Sequence, residues 1–135
     1  MSDIVAATRT HLLAQSGVTD LVSTRIYYNN LPQNATLPAI VVELVGSEVM
    51  DRHLSATGAL YRAQVNVYCY ASTHSVVAAV GAAVYAAMEF ITGTWGSVTV
   101  KLSLVEHEHD LTVPPRDASE NYQQMRALMC AVLHN

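Results

Sequence analysis

Basic side chains are scarce in this sequence. Seven Lys and Arg stand against eleven Asp and Glu, giving a formal net charge of −4, and no two basic residues are adjacent. A DNA-binding protein needs clustered cations to displace counterions from phosphate, so the balance argues against a sequence-reading or nonspecific DNA binder. Charge of either sign is low at 13%, whereas 51% of residues are hydrophobic, a composition unlike that of a disordered chain. There are two cysteines, Cys69 and Cys130, far apart and each inside an apolar run. They read as buried thiols in a reducing compartment, with a disulfide across neighbouring strands as the alternative. Long hydrophobic runs are missing too. The most apolar segment, Val76 to Ile91, holds Tyr85 and Glu89 and is too short and too weakly apolar to span a bilayer. The start, MSDIVAATRTHLLAQ, has polar residues throughout, unlike a signal peptide. The expectation is a soluble protein made in the cytoplasm, with no membrane partner.

Catalytic signatures are equally sparse. The six glycines are scattered at turns apart from Gly81, so no glycine loop cradles a phosphate. There is no G-x-S-x-G elbow and no placed Cys–His pair. Gly81, inside a helical pattern, suggests close packing.

At 135 residues the chain is one domain able to bury a core without staples, and no repeat or linker divides it. Ser2 as a cap, with Asp3 in the first turn, opens a helix over about Asp3 to Ser16. Its stripe is Ile4, Val5, Thr8, His11, Leu12 and Gln15, and Gly17 is the stop. Thr19 to Val22 adds at most a short turn, and Arg25 to Tyr28 is extended. Asn29 to Pro38 is a loop, with Leu31 and Leu37 held extended by the prolines that follow them. Ala39 to Val45 is a strand apolar on both faces, hence covered on both. Gly46 to Gly58 is a hairpin arm or an extended loop. Leu60 to Ala71 is a strand whose core face is Ala63, Val65, Val67, Cys69 and Ala71.

Ser72 or Thr73 caps a second helix reaching about Ile91, buried along Val76, Val77, Val80, Val84 and Met88. Its other faces are mostly alanine. Either it is sandwiched within the domain or part of it meets a neighbouring subunit. Thr92 to Gly96 turns the chain. Val98 to His109 is a strand with Val98, Val100, Leu102 and Leu104 on one face. Asp110 to Ser119 is a loop, and Glu120 to Leu133 is the last strand, with Met125, Ala127, Met129, Ala131 and Leu133 on one face. The expected fold is α+β: a mostly antiparallel four-stranded sheet with two helices packed on one face, in the order α-β-β-α-β-β.

The densest chemistry lies in VEHEHDLTVPP, Val105 to Pro115. On a strand, His107 and His109 share one face while Glu106, Glu108 and Asp110 take the other. Zinc needs a third or fourth ligand, and the neighbouring sequence supplies none on the histidine face; His11, His53 and His74 would have to converge from elsewhere. Carboxylates at an exposed strand end have little reason for a raised pKa, which argues against acid–base work. Tyr61, Tyr68, Tyr70 and Tyr122 fall on strands. They suit either a protein–protein interface or an ordinary half-exposed sheet face.

Three stretches together resemble a known family. RIYYNNLPQNATLPAIVVEL (Arg25 to Leu44) joins an Arg-hydrophobic-Tyr piece and a Pro-Gln loop to a proline directly before a long strand. YRAQVNVYCYASTHSVVAAVGAAVYAAM (Tyr61 to Met88) joins a strand ending in an aromatic pair to a capped, Ala-rich helix. RDASENY (Arg116 to Tyr122) sits between the last two strands. The pattern resembles the tail-completion proteins of long-tailed bacteriophages, also called tail terminators or head-to-tail joining proteins. Gly46 to Gly58 matches no feature of that pattern.

The resemblance implies a small α+β subunit assembling as a hexameric ring on the tail tube, without catalysis or cofactor. Such a ring ends tube growth and offers a surface to the head connector or head-closure protein. DNA is only passing cargo in its channel, and an acidic lining would repel it. The implied location is the virion tail or neck. Interface candidates are Leu31 and Leu37 in the first loop, Glu48, Asp51, Arg52 and His53 in Gly46–Gly58, Tyr68 and Tyr70 on the strand, and Asp110, Arg116 and Asp117 in Asp110–Ser119. The alternatives are another neck protein, such as a head-closure adaptor, and a small metal-dependent enzyme using His107 and His109.

Overall fold

The structure, a computed structural model, describes residues 3–52, 59–114 and 123–135. Asp3 caps the first helix, its Oδ1 accepting from the Ala6 N–H at 3.0 Å, so one orphan amide of the first turn is satisfied. Helix α1 runs Ile4–Leu13 and buries Ile4, Ala7, Thr8 and Leu12. The Thr8 hydroxyl, in the core, donates to the Ile4 carbonyl at 2.7 Å. Gly17 does not end this helix but lies within a second one, α2 (Ser16–Val22). The rest of the chain is β1 (Ile26–Tyr28), β2 (Ala39–Arg52), β3 (Ala59–Ala71), α3 (His74–Met88), β4 (Ile91–Trp95), β5 (Val98–Val113) and β6 (Gln123–His134). Thr73 caps α3, accepting from the Val76 N–H.

The sheet departs from the four-stranded antiparallel expectation. It has six strands in the order β1-β2-β3-β6-β5-β4, and β1 lies parallel to β2 while the other pairs are antiparallel. There are three helices, and the sheet curls into a half-barrel. Two short edge strands account for most of the difference. β1 has three residues, and its pairing with Ile40–Val42 is a nonlocal contact no local pattern encodes. β4 contains Gly93 and is followed by Gly96, residues that locally favour a turn. Gly96, at φ +59, opens the two-residue loop that joins Trp95 to its partner Val98; glycine takes this backbone without strain.

Helix α1 spans the mouth of the half-barrel. Arg9 donates through Nε to the Ile26 carbonyl of β1 at 2.7 Å. Two residues later, His11 stacks on Trp95 of β4, at the opposite sheet edge. The helix-facing core joins Ile40 and Val42, the Ala63–Ala71 alternation, Leu128, Cys130 and Val132, and Val77, Val80, Val84 and Met88 of α3. Val76, expected in the buried stripe, is exposed. On the other side of β2, Ala39 and Val41 are buried as well, as apolar residues on both faces required. A register shift between Val100 and Leu102 breaks the expected Val98-Val100-Leu102-Leu104 face. The ladder then places Leu102 beside Leu133 and Ser103 beside Val132, so Leu102 and Leu104 turn away from the helices.

Candidate functional site

Two arms extend from the sheet. β1 accompanies β2 only as far as Val42; β2 then runs on as the outer strand beside β3, which stays paired with β6 as far as Tyr61, and the last two pairs, Asp51–Leu60 and Arg52–Ala59, reach beyond β6. β4 accompanies β5 only between Val98 and Ser103, after which β5 and β6 continue to Val113 and Gln123. β3 and β6 are antiparallel, with Tyr61 beside His134 at one end and Ala71 beside Gln124 at the other. The two arms therefore leave opposite ends of the sheet. Of the two readings for Gly46 to Gly58, the arm holds through Arg52, and β5 runs four residues past the expected boundary at His109. Residues 53–58 and 115–122 lie outside the described residues, and with them the candidates His53, Arg116 and Asp117.

Register shifts between Leu44 and Gly46, Val49 and Asp51, and Val105 and His107 are bulges, which re-aim side chains and add twist. The last one changes the reading of EHEHD. Glu106 does not share the face of Glu108 and Asp110. It reaches Arg62, whose Nη2 donates to Glu106 Oε1 at 2.7 Å, across β6 and on the side turned from the helices. Glu48 stands 4.0 Å from the same guanidinium. One cation of β3 thus ties the β2 arm to β5.

Asp110 faces the helix side and takes a two-pronged bond from Arg126, at 2.6 Å from Nε and 3.0 Å from Nη2. This bond, more than the nearby positive charge, holds the Asp110 carboxyl below its ordinary value. Arg126 in turn lies against α3 at Gly81, where an added Cβ would stand 2.5 Å from Arg126 Cδ. That is the close packing the lone helical glycine suggested.

Tyr68 is the centre of a second polar cluster. Tyr68 donates to Glu43 Oε1 at 3.1 Å and accepts from Asn66 Nδ2 at 3.0 Å. Burial, foremost, pushes its phenol pKa up. Tyr70 joins Leu31, Asn29, Val113 and Pro114 around a groove of about 180 Å³, so the first loop meets the far end of the β5–β6 ladder. Leu37, half-buried, precedes a cis proline, Pro38, whose carbonyl accepts from Arg25 Nε at 2.9 Å. Asp51 and Arg52 end β2, in register with Leu60 and Ala59.

His107 and His109 are exposed, with ring centroids 5.4 Å apart. Among the described residues no group of three or more His, Cys, Asp or Glu could hold a metal ion. Cys69 and Cys130 are free and buried, which removes the disulfide alternative. Among the described residues no helix is long and apolar enough to cross a membrane.

The most exposed apolar side chains escaped the sequence reading. Phe90, just past α3, is 74% exposed; Val45 and Met50 on the β2 arm are 53% and 54% exposed, and Leu111 on the β5 arm 54%. An apolar residue in a strand pattern reads as core, and only the bulges and the missing neighbour strands leave these bare. Phe90 carried one usable signal, its place at the end of a helix whose outer face is alanine.

The chain matches the family profile of tail completion protein gp17 over residues 6–129. No curated protein matches it. Among solved structures, a chain of the virion of a native gene transfer agent particle is similar, with a TM-score of 0.64 and 17% identity, covering 98% of this chain and 95% of that one; this likeness is one of fold. The profile takes in β1 to β5 whole and β6 as far as Met129, and the chain belongs to the tail completion protein gp17 family, structural proteins of the bacteriophage tail and virion.

Proposed function

We propose that this protein is a tail terminator: a subunit of a homo-oligomeric ring, a hexamer, that sits on the tail tube, ends its growth and joins the tail to the head connector. The observation that carries this reading is the pair of arms leaving opposite ends of one sheet. A ring subunit between two different structures needs a contact surface on each axial side, and exposed apolar residues on both arms, Met50 on one and Leu111 on the other, are of the kind that protein interfaces bury. The tail tube protein would take one arm and the head connector or head-closure protein the other. DNA passes through the channel as cargo, and a net charge of −4 disfavours its sticking to the wall. The working location is the virion neck, after synthesis in the host cytoplasm.

The test is a phage in which this gene is disrupted. Tails of uncontrolled length that fail to join heads support the terminator role, and purified protein added to growing tubes then fixes their length. Tails of normal length that merely fail to join would replace it with a head-closure role.

A further inference from the structure

We propose that neighbouring copies of this chain join laterally by inserting Phe90 of one into a groove of the next formed by Val5, Tyr28 and Leu44. This inference rests on the ring reading and names the contact that would build the ring. The groove, about 420 Å³, is lined by Asp3, Val5, Tyr28, Asn29 and Leu44 and opens beside the β1–β2 edge. Phe90 stands beside the opposite edge, immediately before β4. It is the most exposed large apolar side chain among the described residues, at 74%.

The backbone register sets both features at one level. Ile91, next to Phe90, pairs with Ser103, Ser103 with Val132, and Val132 with Ala63; Leu44 pairs with Val65, two residues further along β3. Both features also lie on the helix side of the sheet: Phe90 follows α3, Val5 belongs to α1, and Leu44 continues the face of Ile40 and Val42. A knob and a hole at opposite edges, on the same side and at the same height, form a heterologous contact. Such a contact closes into a ring when the rotation per copy divides the circle.

Charge supports the same partner. Lys101, exposed beside the Phe90 edge, has no acidic partner among the described residues, and Asp3 rims the groove. An aromatic side chain buries about 150–250 Å², and such anchors seated in pockets dominate interface energetics.

The test is site-directed cross-linking. Phe90→Cys and Leu44→Cys are made as separate proteins, mixed under conditions where the parent chain assembles, alone or on tail tubes, and oxidised. A disulfide-linked heterodimer is expected from the mixture and a ladder of higher multimers from the double variant. Cys69 and Cys130 are buried and do not compete. In parallel, Phe90→Ser should weaken assembly at least about tenfold and Phe90→Leu far less, with circular dichroism confirming that both fold. Assembly that survives Phe90→Ser unchanged, or that yields no Phe90–Leu44 link, overturns this contact and leaves the ring standing. A parent chain that never assembles under either condition overturns both. Protection of Phe90→Cys only when other tail proteins are present, without the Leu44 link, assigns the phenyl ring to one of them instead.

Discussion

The imidazole of His11 lies flat on the indole of Trp95, centroids 4.1 Å apart and planes 8° from parallel. Its Nε2–H donates to the Ala87 carbonyl at 2.7 Å. The other ring nitrogen receives the Gln15 amide at 3.5 Å, so both partners suit a neutral ring. Burial, partly opposed by the bond to Ala87, holds its pKa below the usual 6.5. In the unfolded chain the same histidine takes up a proton at the ordinary value. Its contribution is therefore complete above about pH 6.5 and declines as the pH falls from there to the lowered folded value. Thermal unfolding followed between pH 8 and pH 5 should show this loss. His11→Gln should be less stable at pH 8 by about 1 kcal/mol and lack that part of the acid dependence. An unchanged slope in the variant would place the titration elsewhere.

Asp110 acts in a separate window. Its pKa is depressed below the ordinary 3.8 by Arg126, so its contribution is present above that value and is lost as the pH drops through the lower one. Asp110→Asn should be less stable than the parent above about pH 4, approach it at lower pH, and leave the His11 window untouched.

Gly81 and Arg126 should be coupled. A methyl at Gly81 would drive Arg126 from its place against α3, since the space is 2.5 Å from Cδ, and would disturb the bond to Asp110. Alanine would otherwise favour the helix by about 1 kcal/mol over glycine. In a double-mutant cycle read by urea unfolding, Gly81→Ala should be more favourable in the Arg126→Ala background than in the parent by about 1 kcal/mol or more. Simple additivity would show that Arg126 moves aside without cost.

Phe90 adopts φ 51°, a left-handed backbone that costs an ordinary L-residue about 1–2 kcal/mol and that asparagine tolerates better. With most of its ring in solvent, little packing is lost on removal. Phe90→Asn should therefore stabilise the isolated subunit by about 1 kcal/mol while impairing assembly. A destabilised isolated subunit would mean that the ring packs within its own chain.

Both thiols should be silent in the native protein. Burial pushes Cys130 up to about 12 and Cys69 higher still, and only the thiolate reacts. A thiol reagent at pH 8 should label neither until denaturant is added, and then both.

Local pattern carried much of the framework into view. The alternation of Ala63 to Ala71 fixed β3 and its core face, because one face of a strand must be apolar to bury. Ser72 and Thr73 are the two caps the sequence offers for α3, and Thr73 takes the position. Where the outcome depended on a distant partner, the signal failed. β2 continues past Gly46 because β3 lies beside it, which no residue of the arm declares. Bulges near Val45, Lys101 and Glu106 each invert the alternation that follows, so simple alternation puts Glu106 on the wrong face and Leu102 on the wrong side of the sheet. Of the candidate site, the loop residue Leu31 and the strand residue Tyr70 meet in one groove, but Phe90 becomes visible only through its backbone and its exposure.

The placement of the arms has a mechanical consequence. Because they leave opposite ends of one sheet, tension between two bodies gripping them must cross from β3 to β6. That joint is an unbroken antiparallel ladder from Tyr61–His134 to Ala71–Gln124, whose hydrogen bonds lie across the strands. A pull along the strands loads those bonds together in shear instead of unzipping them one after another, so a particle under strain would strip the gripped tips before it tore this sheet apart.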